Sequence, residues 1–283
     1  MSVQLVHTIT GVRESVARWR GAGKTIGLVP TMGALHAGHG RLIETARAEC
    51  AAVAVSVFVN PIQFDRADDY ERYPRTLASD DPFAEARGAD LVFAPEIAEM
   101  YPRRQRAFVD VEELTAHLCG QFRPGHFRGV ATVVAKLLDI VQPDRAYFGE
   151  KDAQQLAVIR RMVADLNLAV EIIGVPTVRE ADGLALSSRN RHLSAEERAV
   201  APLLYQSLRA AESAIARGER NSERVKQAAV AVLAPEPRIR VEYFEIVDPE
   251  ELQPVAEIAA PVLVAAAAWL GATRLIDNLV ARP

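Results

Sequence analysis

Cysteine is scarce: the 283 residues hold two, Cys50 and Cys119, far apart and without a Cys-x-x-Cys spacing. That excludes a disulfide framework and a cysteine zinc site, and it fits a reducing compartment, with both thiols expected as buried small hydrophobes rather than nucleophiles. Positive charge is not in excess either. Thirty-three Lys and Arg stand against 37 Asp and Glu, a formal net charge of −4, so no diffuse basic field exists to hold nucleic acid or an anionic membrane. Any phosphate must be held by local groups. Long apolar runs are missing too: the most apolar stretch, Pro261 to Leu270, is about half the length a membrane-spanning helix needs. The opening MSVQLVHTIT has no basic segment followed by an apolar run, which predicts a cytoplasmic protein without a secretory signal.

What is present is an ordinary globular composition, 49% apolar and 25% charged residues with 16 Gly and 16 Pro. A chain of this length carries one large domain or two unequal ones. TIGLVP (25 to 30), HGRLIETARAEC (39 to 50) and AVAVSVFV (52 to 59) read as a βαβ unit. The alternation continues through DLVFAP (90 to 95), VATVVAKLLDIV (130 to 141), RAYFGE (145 to 150), DAQQLAVIRRMVADL (152 to 166) and EIIGVP (171 to 176). These apolar runs lack strict alternation, as parallel strands covered on both faces do. The reading is an α/β fold, a Rossmann-like doubly wound parallel sheet, over residues 1 to 177. After that the rhythm changes to two helical runs followed by VEYFEIVD, PVLVAAAAWL and TRLIDNLV without long helices between them. An antiparallel sheet in a smaller C-terminal α+β domain, 178 to 283, is expected.

Four segments carry chemistry. PTMGALHAGH, Pro30 to His39, lies between the first good strand and the helix it feeds, where open α/β sheets bind nucleotides. Gly33 and Gly38 permit close backbone approach, the helix start offers N–H groups and a positive dipole end to a phosphate, and His36 and His39 stand three residues apart to converge on one anion. The plainer alternative is an accidental histidine pair at a helix start. FVNPIQF, Phe58 to Phe64, ends the next strand, where Asn60 and Gln63 would turn uncharged donors and acceptors into the same crevice; alone, Asn-Pro is more often just a turn. FGEKDAQQL, Phe148 to Leu156, is another strand-to-helix turn in which Gly149 allows the bend, Lys151 supplies a point charge, Asp152 fits a helix N-cap, and Gln154 and Gln155 open the helix. A solvated pair at a helix start is the better reading of Glu150. ADGLALSSRN, Ala181 to Asn190, offers Ser187, Ser188 and Arg189 to phosphates, against a polar linker with an N-cap serine.

These segments in this order, with YPRT (73 to 76), RPGHFRGVATVVAKLL (123 to 138) and the C-terminal VAAAAWLGATRLIDN, resemble the pantothenate synthetases, the pantoate–β-alanine ligase family of the His-x-Gly-His nucleotidyltransferase superfamily. The resemblance covers nearly the whole chain. It implies an ATP site at Met32, Gly33, Ala34, Leu35, His36, Ala37, Gly38 and His39, with His39 the proton donor and His36 and Lys151 its catalytic partners. It also assigns Gly149, Glu150, Lys151, Asp152, Val178, Leu186, Ser187, Ser188 and Arg189 to ATP. Gln63 and Gln155 are implied to hold pantoate, Gln63 also lying near β-alanine, and a homodimer is implied. Gln121 and Phe122 before Arg123, and Ala153 where an aromatic is frequent, depart from the family pattern at positions with no implied catalytic role.

The activity implied is condensation of (R)-pantoate with β-alanine through a pantoyl adenylate, with ATP as substrate and Mg2+ expected alongside it. Such an ion is held largely by phosphates and water, so no protein metal ligand is assigned. No covalent protein nucleophile is needed. Arg123, His126 and Arg128 are candidates for a cationic cluster that attracts substrate carboxylates, or else form a structural loop. His7, His117 and His192 read as structural or surface residues. One rival is another His-x-Gly-His nucleotidyltransferase acting on a small carboxylate or phosphate substrate, or an aminoacyl-tRNA synthetase, against which stand the acidic balance and the lack of room for an anticodon-binding domain. A second rival is a nucleotide-binding regulator without chemistry; the presence of both histidines, Lys151 and both glutamines speaks against it.

Overall fold

A computed structural model of the chain describes residues 3–283. In chain order the first elements are β1 (Gln4–Val6), α1 (Ile9–Gly21), β2 (Ile26–Thr31), α2 (Ala37–Glu49) and β3 (Ala52–Val57). Then come α3 (Ala67–Arg72), α4 (Leu77–Glu85), β4 (Leu91–Phe93), α5 (Ile97–Met100) and α6 (Cys119–Phe122). The central run ends with α7 (His126–Val141), β5 (Arg145–Gly149), α8 (Ala153–Asp165) and β6 (Glu171–Val175). After it follow α9 (Ala195–Val200), α10 (Leu203–Ala216), α11 (Ser222–Val230) and the long strands β7 (Ile239–Val247), β8 (Val262–Leu270) and β9 (Thr273–Ala281). Among the described residues, no helix is long and apolar enough to cross a membrane.

The first six strands form one sheet in the order β1-β4-β3-β2-β5-β6, every neighbouring pair parallel. Its inner strands are short continuous apolar runs because both faces are covered. Val29, Val53, Val55 and Val92 pack with Leu42, Ile43 and Ala46 of α2 and Ala84 of α4. Their strand neighbours Leu28, Ala54 and Leu91 point to the other face by the period-two rule and are just as buried. There α7 packs on β2 and on α1. The order reverses at β2: its crossover through α2 leads to β3 on one side, and β5 joins it on the other. Open α/β sheets bind ligands beyond the carboxyl ends of the strands at such a switch point, which here means the residues following β2 and β5. Strands β2 to β6 and helices α2, α7 and α8 are those expected from the sequence; the structure adds the three-residue edge strand β1 and the helices α1, α3, α4, α5 and α6.

A separate three-stranded antiparallel sheet, β7-β8-β9, follows. One face packs on α10 and α11, with Leu208, Ala211 and Ile215 meeting Val264, Ala266 and Ala268, and the residues of β8 that alternate with these, Leu263, Ala265 and Ala267, are buried as well. Ser194 and Glu197 close a reciprocal capping box at the start of α9. Pro202 then separates α9 from α10 where the sequence reads as one helical run.

The chain divides into two compact units, and the division is not a single cut. The first holds residues up to Val111 with Arg123–Glu150 and Val158–Pro176. The second holds Thr177–Pro283 together with Glu112–Phe122 and Lys151–Ala157. Relative to a split into 1–177 and 178–283, the two short segments change sides because their polar groups are satisfied in the second unit. Gln154 Nε2 donates to Leu114 O (2.9 Å) and His117 O (2.8 Å), and Asn278 Nδ2 donates to Lys151 O (2.8 Å). Cys119 Sγ lies 3.2 Å from Tyr243 Oη.

Candidate active site

β2 ends at Thr31, and the chain turns sharply through Gly33 (φ 83°) and Ala34 (φ 51°) before α2 begins. Two consecutive left-handed residues, one of them not glycine, need outside support. It comes from Asp80 of α4, 2% exposed. Asp80 Oδ2 accepts from Ala34 N at 3.0 Å and Oδ1 from Leu35 N at 2.8 Å, while Thr76 Oγ1 donates to Oδ2 at 3.1 Å. Thr31 Oγ1 accepts from Gly33 N (3.1 Å) and donates to Ser56 O (2.6 Å), tying the turn to β3.

His36 then caps α2. Its Nδ1 accepts from Gly38 N at 3.1 Å, and His39 Nδ1 accepts from His36 N at 3.3 Å, a capping box made of two imidazoles. Their ring centroids are 4.2 Å apart. A backbone N–H can be accepted only by an unprotonated nitrogen, so in each neutral ring the proton sits on Nε2. Both histidines therefore present the same end, an N–H donor, at the positive terminus of α2 and beyond the carboxyl end of β2. The sequence reading expected free amides here. Instead the N–H groups of Gly33, Ala34, Leu35, His36 and Gly38 all have acceptors within the protein, because building the turn and the cap consumes them. The two imidazoles stand at the same helix start.

The turn after β3 builds a second polar cluster. Gln63, 7% exposed, closes a 3-10 turn over Pro61–Gln63. Its Oε1 accepts from Asn60 Nδ2 (2.9 Å) and its Nε2 donates to Met32 Sδ (3.1 Å). Asn60 is used up in this role: Nδ2 also donates to Gly129 O (3.2 Å), and Oδ1 accepts from Tyr101 Oη (2.7 Å). Burial raises the Tyr101 phenol above its ordinary range, which keeps it a donor. The chain Tyr101 to Asn60 to Gln63 thus fixes which end of the Gln63 amide is which. Its remaining N–H is a donor suited to a carboxylate or hydroxyl. Asn60 was expected to face the ligand beside Gln63; at 1% exposed it holds Gln63 instead. Gly129 on α7 makes this packing possible, since a Cβ there would lie 2.3 Å from Ile62 O and 2.6 Å from Gln63 Cα.

The proposed cationic cluster resolves into its structural alternative for two members. Arg123 Nε donates to Asp65 Oδ1 at 3.1 Å, and its Nη1 lies 3.2 Å from His126 Nε2. A guanidinium can only donate, so His126 Nε2 is the acceptor and Nδ1–H donates to Gln63 O at 2.8 Å. His126 is a neutral strut under the Gln63 turn. Arg128 lies over the Phe108 ring at 4.2 Å. His7 Nδ1 lies 2.6 Å from Ala94 O and His117 Nε2 3.2 Å from Gln253 Oε1, both structural as expected. Both cysteines are buried.

The second unit carries the other residues singled out in the sequence. Lys151 and Asp152 follow Gly149 and Glu150 in a 3-10 turn, and Gln155 lies half-buried in the first turn of α8. Its neighbour Gln154 is the buried, structural one of the pair. Val178 accepts from Leu186 N (3.0 Å) and Glu180 N donates to Leu184 O (2.8 Å), so residues 178 to 186 form a tight hairpin. It delivers Ser187, whose Oγ caps the 3-10 turn Ser188–His192 by accepting from Arg189 N at 3.2 Å. Ser187, Ser188 and Arg189 are all half-buried rather than packed away. Among the described residues, no three His, Cys, Asp or Glu side chains converge as a metal centre would require.

The model of the pantoate-beta-alanine ligase family matches residues 4–280. This chain belongs to that family. A bifunctional pantoate ligase/cytidylate kinase of Thermosynechococcus vestitus is 57% identical over 257 residues, covering 90% of this chain and 50% of that protein, so the chain spans about half the length of that relative. The pantothenate synthetase of Thermus thermophilus superposes with a TM-score of 0.94 at 48% identity, covering 99% of this chain and 100% of that one. A pantoate-beta-alanine ligase of Francisella tularensis, complexed with β,γ-ATP and β-alanine, superposes at 0.79 with 33% identity over 99% of this chain and 98% of that one. For this family member the wider nucleotidyltransferase alternative is not favoured: the match extends through the C-terminal sheet and is not confined to the histidine motif.

Proposed function

We propose that this ligase-family member condenses (R)-pantoate with β-alanine, using ATP and releasing AMP and pyrophosphate. The single observation that carries the reading is the pair of imidazoles capping the start of α2, each accepting a backbone N–H at Nδ1, which leaves the proton of each neutral ring on Nε2. A carboxylate resists amines because its charge is delocalised and oxide cannot leave. Attack of a pantoate carboxylate oxygen on the α-phosphorus of ATP forms one P–O bond and breaks the bond to pyrophosphate, giving an acyl phosphate anhydride. Negative charge grows on the phosphoryl oxygens in that step, and His36 and His39 are placed to stabilise it by donating hydrogen bonds from Nε2–H, without giving up the proton. Preorganised donors of this kind are usually the largest catalytic contribution. Lys151, Ser187, Ser188 and Arg189 are the further phosphate ligands in this reading, with Gln63 and Gln155 holding pantoate. The amine of β-alanine then attacks the acyl carbon, and AMP leaves with its new oxygen.

Magnesium would arrive with the triphosphate and take most of its ligands from phosphate and water, as is usual for this ion. The donor set fits that mode and not an all-protein cage. Cytoplasmic location and a homodimer complete the proposal on the family resemblance. The test is an omission assay with purified protein: AMP should accumulate only with ATP, pantoate and β-alanine together. Beyond one equivalent per site, AMP formed without β-alanine or without pantoate would refute the reading.

A further inference from the structure

β9 carries two adjacent polar residues that no step above uses, Asp277 and Asn278. Asp277 is 4% exposed, and its carboxylate takes both arms of Arg179, Nη1 to Oδ2 at 2.6 Å and Nη2 to Oδ1 at 2.9 Å. The same guanidinium donates to Gly183 O (3.1 Å) and Asn278 O (3.3 Å) and lies 3.8 Å over the Tyr205 ring. The Arg179 pair therefore grips the 178–186 hairpin at its base and, through Gly183 (φ 95°), at its tip. A Cβ at Gly183 would meet Tyr205 Cδ1 at 2.4 Å, so ring, glycine and guanidinium form one packed joint. The adjacent side chain serves another segment. Asn278 Nδ2 donates to the carbonyl of Lys151 at 2.8 Å.

Neighbouring residues of a strand face opposite sides, and here each side holds one of the second unit's two nucleotide-assigned segments. A buried ion pair is weak evidence of stability; its fork geometry, though, fixes orientation. We infer that Asp277 and Asn278 are positioning residues, Asn278 setting the Lys151 backbone and Asp277, through Arg179, setting the hairpin that delivers Ser187 to Arg189. The inference rests on the function proposed above. Its selective consequence follows from timing. Lys151 is needed while charge develops on the phosphoryl group, so a misplaced Lys151 slows adenylate formation and leaves attack of β-alanine on a finished adenylate alone.

The experiment uses the full chain and its two half-reactions in single turnover: pyrophosphate release from pantoate and ATP, and β-alanine attack on preformed pantoyl adenylate. Asn278→Asp keeps the size of the side chain but sets acceptors against the Lys151 carbonyl. Asn278→Ala is the second variant, in case the first disturbs folding. Both should slow the first half-reaction by about tenfold to a hundredfold, the range for displacing a catalytic group by about 1 Å, with the second within about twofold of wild type. In a Lys151→Ala background, Asn278→Asp should add little, because the side chain it places is gone. Equal slowing of both half-reactions, or a full additive effect in the Lys151→Ala background, would make Asn278 merely structural and overturn the inference. So would an unchanged first half-reaction. A wild-type chain that makes no adenylate would overturn the functional reading and this inference with it.

Discussion

His39→Ala should lower kcat by about 100-fold or more, the range for removing one electrostatic or acid–base group from a phosphoryl-transfer site. The structure adds a second, smaller effect. His39 Nδ1 is the acceptor for His36 N, and losing a side-chain acceptor at a helix start costs about 1 kcal/mol. For a chain of this size that is a fall in Tm of roughly 2 to 4 °C. His39→Asn separates the two roles: its amide oxygen can replace Nδ1 in the cap, but nothing replaces Nε2–H. The expected result is a melting temperature close to wild type and a kcat as low as that of the alanine variant. Near-normal turnover in His39→Asn would take Nε2 out of the mechanism.

Asp80→Ala should be damaging in both respects. It removes the acceptor for the Ala34 and Leu35 amides, and each buried donor left without a partner costs about 1 to 3 kcal/mol. Thermal or urea unfolding should show a loss of about 2 to 5 kcal/mol. Asp80→Asn should fall between, since its amide places a donor against a donor at one of the two sites. Because the same bonds hold the turn that orients His36, kcat should drop by about tenfold or more even at temperatures where the variant is fully folded. Normal kinetics in a folded Asp80→Ala would show that the two histidines are positioned without it.

The amino-acid sequence shows part of this site and hides the rest. Parallel strands buried on both faces leave four-residue apolar blocks, such as GLVP and AVAV, and these were readable because each is short and the two flank a helix-period segment. The strand-to-helix placement of PTMGALHAGH was readable for the same reason. Asp80 was not, because an aspartate in LASDD has the pattern of a solvated helix face. Its role as an acceptor shows only once the chain brings α4 to a turn 46 residues upstream. Arg123 and His126 looked like free cations because Asp65, which pairs with Arg123, lies 58 residues away. Gln154 and Gln155 were equivalent in sequence, and only the carbonyls of Leu114 and His117 distinguish them. The strand β1 was too short to show a period, and 112–122 and 151–157 gave no compositional sign of the unit they join.

The central claim is that pantoate attacks the α-phosphorus of ATP without a protein nucleophile. The most direct measurement follows pantoate with both carboxylate oxygens labelled with heavy oxygen through one complete turnover, with the products analysed by mass spectrometry. The account predicts one labelled oxygen in AMP and the other in the amide carbonyl of pantothenate, with pyrophosphate and protein unlabelled. Label in pyrophosphate or in inorganic phosphate with ADP as co-product, or a chain that itself becomes acylated or adenylated, would contradict it.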